Sequence, residues 1–172
     1  IGYFNKNSST FSFEEGIILS SGNIHLAPGP AGGTISSGLM YDWPDDAQLT
    51  TYMNNYLNQP EQEYHNASVL EFDFVALTNE LKFNFIFASN EYGTFQCSFS
   101  DSFAFFLTNT ATGVTTNLAI VPNTTDPVSV VTIRKAIHSP LNWETGEPDC
   151  GDVNPDYFEA CYDPDFNGQD PL

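Results

Sequence analysis

The chain is nearly without positive charge. Lys6, Lys82, Arg134 and Lys135 are its only lysines and arginines, set against 22 aspartates and glutamates for a formal charge of −18 over 172 residues. A surface of that sign repels phosphate backbones and anionic headgroups, which excludes nucleic acid as a partner and an electrostatic hold on a lipid surface. Apolar runs are short as well, none approaching the length of a bilayer-crossing helix, so direct membrane insertion is not expected. The chain opens at Ile1 with neither a methionine nor a basic leader, so an upstream segment, cleaved or omitted, is expected.

Catalytic signatures are also missing. There is no Gly-x-Ser-x-Gly elbow, no His-Glu-x-x-His and no Cys-x-x-Cys, and His25, His65 and His138 stand far apart. A triad is recognised by geometry rather than by composition, so a secreted hydrolase stays as a minor alternative with no catalytic residue named. Cysteine is scarce and odd in number. Cys97–Cys150 is the preferred disulfide, because Cys97 follows a strand and Cys150 sits in a loop that needs anchoring; Cys150–Cys161 is the local alternative, and spacing does not choose between them.

What the chain has in abundance is aromatic and acidic. Fifteen phenylalanines and eight tyrosines among many Ser, Thr and Asn fit a secreted β-rich domain better than a cytosolic helical one. With so few basic side chains, most carboxylates must be solvated, spread over turns or neutralised by a bound cation, and calcium is the expected extracellular ion.

Periodicity gives the elements. Leu70, Phe72 and Phe74 alternate with Glu71 and Asp73, then Leu81, Phe83, Phe85 and Phe87 alternate with Lys82 and Asn84. This predicts an antiparallel hairpin with one wet face, turning at "LTNE". A second hairpin is expected from residues 102–108 and 117–121 around "NTATG", followed by a strand at "VSVVTIR", and shorter strands are expected at "EEGIILSSG" and "GGTISSG". One short helix is predicted near residues 45–57, where Leu49, Tyr52, Met53, Tyr56 and Leu57 recur at helical spacing, with Asp42, Asp45 and Asp46 suited to capping its N-terminus. From Trp143 onward the pattern gives way to an acidic C-terminal loop region. The fold class is all-β, an antiparallel β-sandwich or jelly roll with phenylalanine at its core, spanning residues 1–172 as a single domain.

The order of "IGYFNKN", "FEEGIILSSGN", "WPDDAQL", "NASVLEFDFVAL", "FNFIFASNEYGTFQCSFSDSFAFFLT", "NLAIVPNTTDPVSVVTIR" and "VNPDYF" resembles the choice-of-anchor L domain of secreted bacterial proteins, particularly those of the Bacteroidota. The stretch from Glu91 to Phe106 carries most of the likeness. The resemblance implies an extracellular or cell-surface module, in proteins that end in varied anchoring or sorting signals including those of type IX secretion, and it supplies no catalytic role. Family members continue into a further acidic segment and a closing strand, so the chain is expected to lack its C-terminal closing segment. A weaker similarity joins "SDSFAFFLTN" to the legume-lectin strand whose aspartate takes part in sugar and metal binding, a place held here by Asp101.

Three sets of residues are candidates for function. Glu91 and Asp101 bracket the loop between two aromatic strands, so strand pairing could bring both to one sheet edge, where Asn90 and Ser100 add oxygens for calcium. The alternative is that Glu91 caps backbone amides and Asp101 starts a turn. Asp163, Asp165 and Asn167, with Gly168, match the opening of an EF-hand loop, although Pro164 and the absence of flanking helices favour a solvated acidic turn. Trp43 and Tyr92, with Tyr41, Trp143 and Tyr157, lie in loop-like segments where a ring face could stack on a sugar or else cover the end of the core. The reading is an adhesion or recognition module, ordered by calcium and contacting an extracellular glycan or surface protein. A structural stalk or filament piece that self-assembles through its sheet edge is the alternative.

Overall fold

The computed structural model of the chain describes residues 1–26, 43–59, 62–93, 95–136 and 149–159. They belong to two compact units, Ile1–Phe85 and Ile86–Leu172. The candidate residues Asp163, Asp165 and Asn167 lie outside the described residues, as do Asp42, the stretch "GGTISSG" and Trp143.

In the first unit β1 (Gly2–Asn5) pairs antiparallel with β2 (Glu15–Ile18), placing Phe4 opposite Gly16. A Cβ at Gly16 would stand 2.9 Å from the Phe4 ring, so a glycine there lets the ring lie across the partner strand. Phe11 packs edge-on against Phe4 and Phe13, with ring centroids 5.5 and 6.1 Å apart. The ladder runs one step further through the Lys6 amide, which donates to the Glu14 carbonyl at 2.9 Å, while Lys6 Nζ meets Glu14 Oε1 at 2.6 Å.

The predicted helix forms as α1 (Ala47–Leu57). Asp46 is its N-cap, accepting from the Leu49 amide at 2.8 Å, which satisfies one of the N–H groups that a helix start leaves without a partner. Asn58, in the left-handed region at φ 53°, ends it. Met53 is fully buried on its inner face.

The hairpin expected over 70–87 does not form. The backbone there forms no ladder, and the side chains meant for the core are open to solvent: Phe72 is 51 % exposed and Phe83 48 %. Alternation sets which residues share a face and leaves the partner unspecified. At the intended turn, Thr78 Oγ1 donates to the Glu80 carbonyl at 2.7 Å, a local bond that competes with the turn the hairpin needs.

The second unit carries a hairpin around the predicted turn, as β4 (Phe106–Asn109) and β5 (Val114–Asn117) with Leu107 opposite Thr116, so the returning strand precedes the expected 117–121 and shares only Asn117 with it. Gly113, at φ 71°, supplies the positive φ of the connection, and Asn109 Oδ1 accepts from the Ala111 amide. The short β3 (Ser102–Phe103) pairs antiparallel with β6 (Val128–Ser129). The strand expected to run through Arg134 stops at Ser129, because Thr132 Oγ1 takes the Ser129 amide at 3.0 Å and donates to the Pro127 carbonyl at 2.5 Å, folding the chain into a turn.

The described residues thus form three two-stranded antiparallel sheets and one α-helix, with no closed barrel among them. Aliphatic side chains, not phenylalanine, make the second unit's core: Ala119, Val121, Val128 and Val130 are all buried, together with Ser129 and Thr132.

Candidate functional site

Asp101 directly precedes β3, and its carbonyl accepts from the Val130 amide at 3.1 Å, so the β3–β6 pairing fixes its backbone. Ser89 Oγ donates to Asp101 Oδ2 at 2.7 Å and accepts from the Glu91 amide at 3.0 Å. One hydroxyl therefore ties the two acidic positions together. Ser100 Oγ donates to the Asp101 carbonyl at 3.1 Å, and the Glu91 carbonyl accepts from the Phe95 amide at 3.2 Å. The first turn after Glu91 is held from both sides.

The charge of Asp101 is felt by its neighbours. Partial burial, and then the negative charge of Asp101, raise the Glu91 carboxyl above the ordinary carboxylate range. Burial and the same charge push the Tyr92 phenol up to about 12, which keeps it protonated at any physiological pH. Of the two roles open to Tyr92, the ring takes the packing one: it is 9 % exposed and lies edge-on to Phe158, with centroids 4.9 Å apart. Trp43 belongs to the first unit and is half-buried.

The loop that carries the acids is anchored at its far end. Cys97 and Cys150 form a disulfide. Beside it Gln96, 1 % exposed, donates from Nε2 to the Lys135 carbonyl at 2.6 Å, and its own carbonyl accepts from an Arg134 guanidinium nitrogen at 3.3 Å. Arg134 and Val153 exchange backbone hydrogen bonds of 2.8 and 3.0 Å, and Arg134 Nε donates to the Gly151 carbonyl. Residues 149–153 are thereby sewn to the loop.

Among the described residues no group of three or more His, Cys, Asp or Glu side chains is placed to hold a metal. A calcium ion here would take the Glu91 and Asp101 carboxylates and complete about six to eight ligands from hydroxyl, amide and carbonyl oxygens and water. Burial and the Asp101 charge raise the cost of ionising Glu91, and Asn90 and Ser100 adjoin the two acids in sequence. The reading from sequence named Glu91 and Asp101 and missed Ser89. The signal was a serine two residues before an acid, the spacing at which a hydroxyl caps the following amide.

The choice-of-anchor L domain pattern matches residues 1–170, nearly the whole chain. The chain belongs to that family. Nothing among curated proteins matches it, and no solved structure does. As a choice-of-anchor L domain it is a surface-associated module. The Cys97–Cys150 bond accords with an oxidising compartment, and no helix among the described residues is long and apolar enough to cross a membrane.

Proposed function

We propose that this choice-of-anchor L domain is a non-catalytic recognition module of an extracellular or cell-surface protein, and that calcium bound between Glu91 and Asp101 orders its acidic loop. The observation that carries the reading is the Ser89 hydroxyl, which donates to the Asp101 carboxylate and accepts from the Glu91 backbone amide and so ties the two acidic residues together beside β3, in a chain of charge −18. A divalent cation relieves the repulsion that the fold builds in there. The partner is an extracellular glycan or a surface protein.

The test is calorimetric titration of the full chain with calcium, followed by melting with and without chelator. A saturable heat with a Kd on the order of 10⁻⁴–10⁻³ M, the range of extracellular modules, is expected, with a melting temperature that falls on chelation. Asp101→Asn should remove both effects. Absence of heat together with an unchanged melting temperature overturns the calcium reading.

A second reading, assembly through an open edge, is favoured by the stretch 69–77, where Phe72, Phe74, Val75 and Leu77 are exposed and no ladder is formed among the described residues. A ladder-free segment with alternating apolar side chains that becomes extended is a template for a donor strand, which would extend the short sheets toward a β-sandwich. Donor-strand capture would show as protection of the 69–77 amides in hydrogen exchange on assembly.

A further inference from the structure

We infer that an open groove beside the start of α1 is a binding site for a neutral saccharide; the inference rests on the reading of the chain as a recognition module and assigns the glycan a place. The groove has a volume of about 490 Å³ and lies wholly within the first unit. That volume falls within the roughly 300–1,000 Å³ usual for small-molecule sites.

Its aromatic wall is built and held. The Trp43 indole N–H donates to the Ala67 carbonyl at 2.9 Å, the Trp43 amide donates to Asn66 Oδ1 at 2.9 Å, and the Trp43 carbonyl accepts from the Asn66 amide at 2.9 Å. Asn66 sits at φ 59°, and the Ala67 amide donates to the Pro44 carbonyl at 3.2 Å. The indole is thus locked against the 66–67 backbone before any ligand arrives, which lowers the entropy cost of binding. Because the only polar atom of the ring is already used, what it offers the groove is an apolar face, the surface against which the C–H face of a pyranose stacks. Tyr64 adds a second ring. Its phenol is raised by burial, so it stays protonated and can both donate and accept.

Polar groups of the right kind surround the rings. Asp45, Gln62, Glu63 and His65 line the groove and are exposed. Thr50 Oγ1 donates to Asp45 Oδ2 at 2.8 Å, which orients that carboxylate. Planar carboxylates and amides accept from neighbouring hydroxyls in pairs, so rings together with such groups suit a polyol better than a hydrocarbon. Charge then selects among sugars: two carboxylates at the lip, in a chain with four basic residues, repel uronate, sulfate and phosphate groups and admit neutral hexoses and N-acetylhexosamines.

The protein has two tryptophans, so Trp143→Phe leaves Trp43 as the sole indole reporter. In that full-length background, titration with neutral hexose and N-acetylhexosamine oligosaccharides is expected to give a saturable change in tryptophan emission for at least one of them, with none from oligouronates. Glu63→Ala and Tyr64→Ala, at positions outside α1, are each expected to weaken binding by about tenfold or more with an unchanged circular dichroism spectrum. No saturable change with any neutral oligosaccharide, equal binding of oligouronates, or binding that survives both substitutions overturns the assignment. Calcium heat retained while the sugar signal is absent removes the groove alone; loss of both removes the proposed function with it.

Discussion

Cys97 and Cys150, 53 residues apart in the chain, are joined by a disulfide that holds their Cα atoms 5.6 Å apart. The bond closes a loop around β3, β4, β5 and β6. Restricting the unfolded chain over a loop of that length is worth on the order of 4 kcal/mol in the chain-entropy account. Replacing both cysteines with alanine is expected to lower stability by about 2–5 kcal/mol, read from the midpoint of urea unfolding under non-reducing conditions. An unchanged midpoint contradicts the pairing.

The turn that ends β6 depends on one buried hydroxyl. Thr132→Val removes the acceptor of the Ser129 amide and the donor to the Pro127 carbonyl while keeping the shape of the side chain. Two backbone groups are left without partners in the core, a loss of about 1–3 kcal/mol. Thr132→Ser should recover most of it, which chemical denaturation of the two variants side by side will show.

Asp46 caps α1 through the Leu49 amide. Asp46→Ala is expected to cost about 1 kcal/mol, and Asp46→Asn much less, because an amide oxygen also accepts from the helix N-terminus. Amide exchange in the first turn of α1 should rise in the alanine variant before any change in global unfolding.

Glu91 sets a pH dependence whose sign depends on calcium. In the chelated protein its folded pKa lies above the unfolded one, so the folded state binds more protons. The stability contributed by protonated Glu91 is therefore fully present below the unfolded carboxylate range and is lost as pH rises through the raised folded pKa. Glu91→Gln should raise the melting temperature of the chelated protein at neutral pH, with the gain vanishing in acid. With saturating calcium the same substitution should lower it. Melting curves across pH, with and without chelator, separate the two.

Much of the local structure was legible because it rests on short-range chemistry. The helix at 47–57 with its aspartate cap and the hairpin around Gly113 follow from spacing, capping and turn residues, whereas the choice of Cys97–Cys150 over Cys150–Cys161 was left open by spacing. What depended on distant partners was not legible. The alternation of Phe72, Phe74, Phe83 and Phe85 reads as two faces of a hairpin, yet the ladder that would bury one face is not formed, and the core passes to Ala119, Val121, Val128 and Val130. At the acidic edge Glu91 and Asp101 could be named from the sequence, whereas the Ser89 hydroxyl that joins them needed a backbone path across twelve residues. Trp43 was named as a stacking candidate, but the rest of its groove was not, since Asp45 and the 62–65 stretch meet only once α1 has turned the chain back.

The covalent bridge has a mechanical corollary for a domain displayed outside a cell. Tension applied to the chain on either side of it crosses directly from Cys97 to Cys150, bypassing the hairpin and short ladders enclosed between them. Shear that would strip weak two-stranded ribbons one bond at a time instead loads a single sulfur–sulfur linkage.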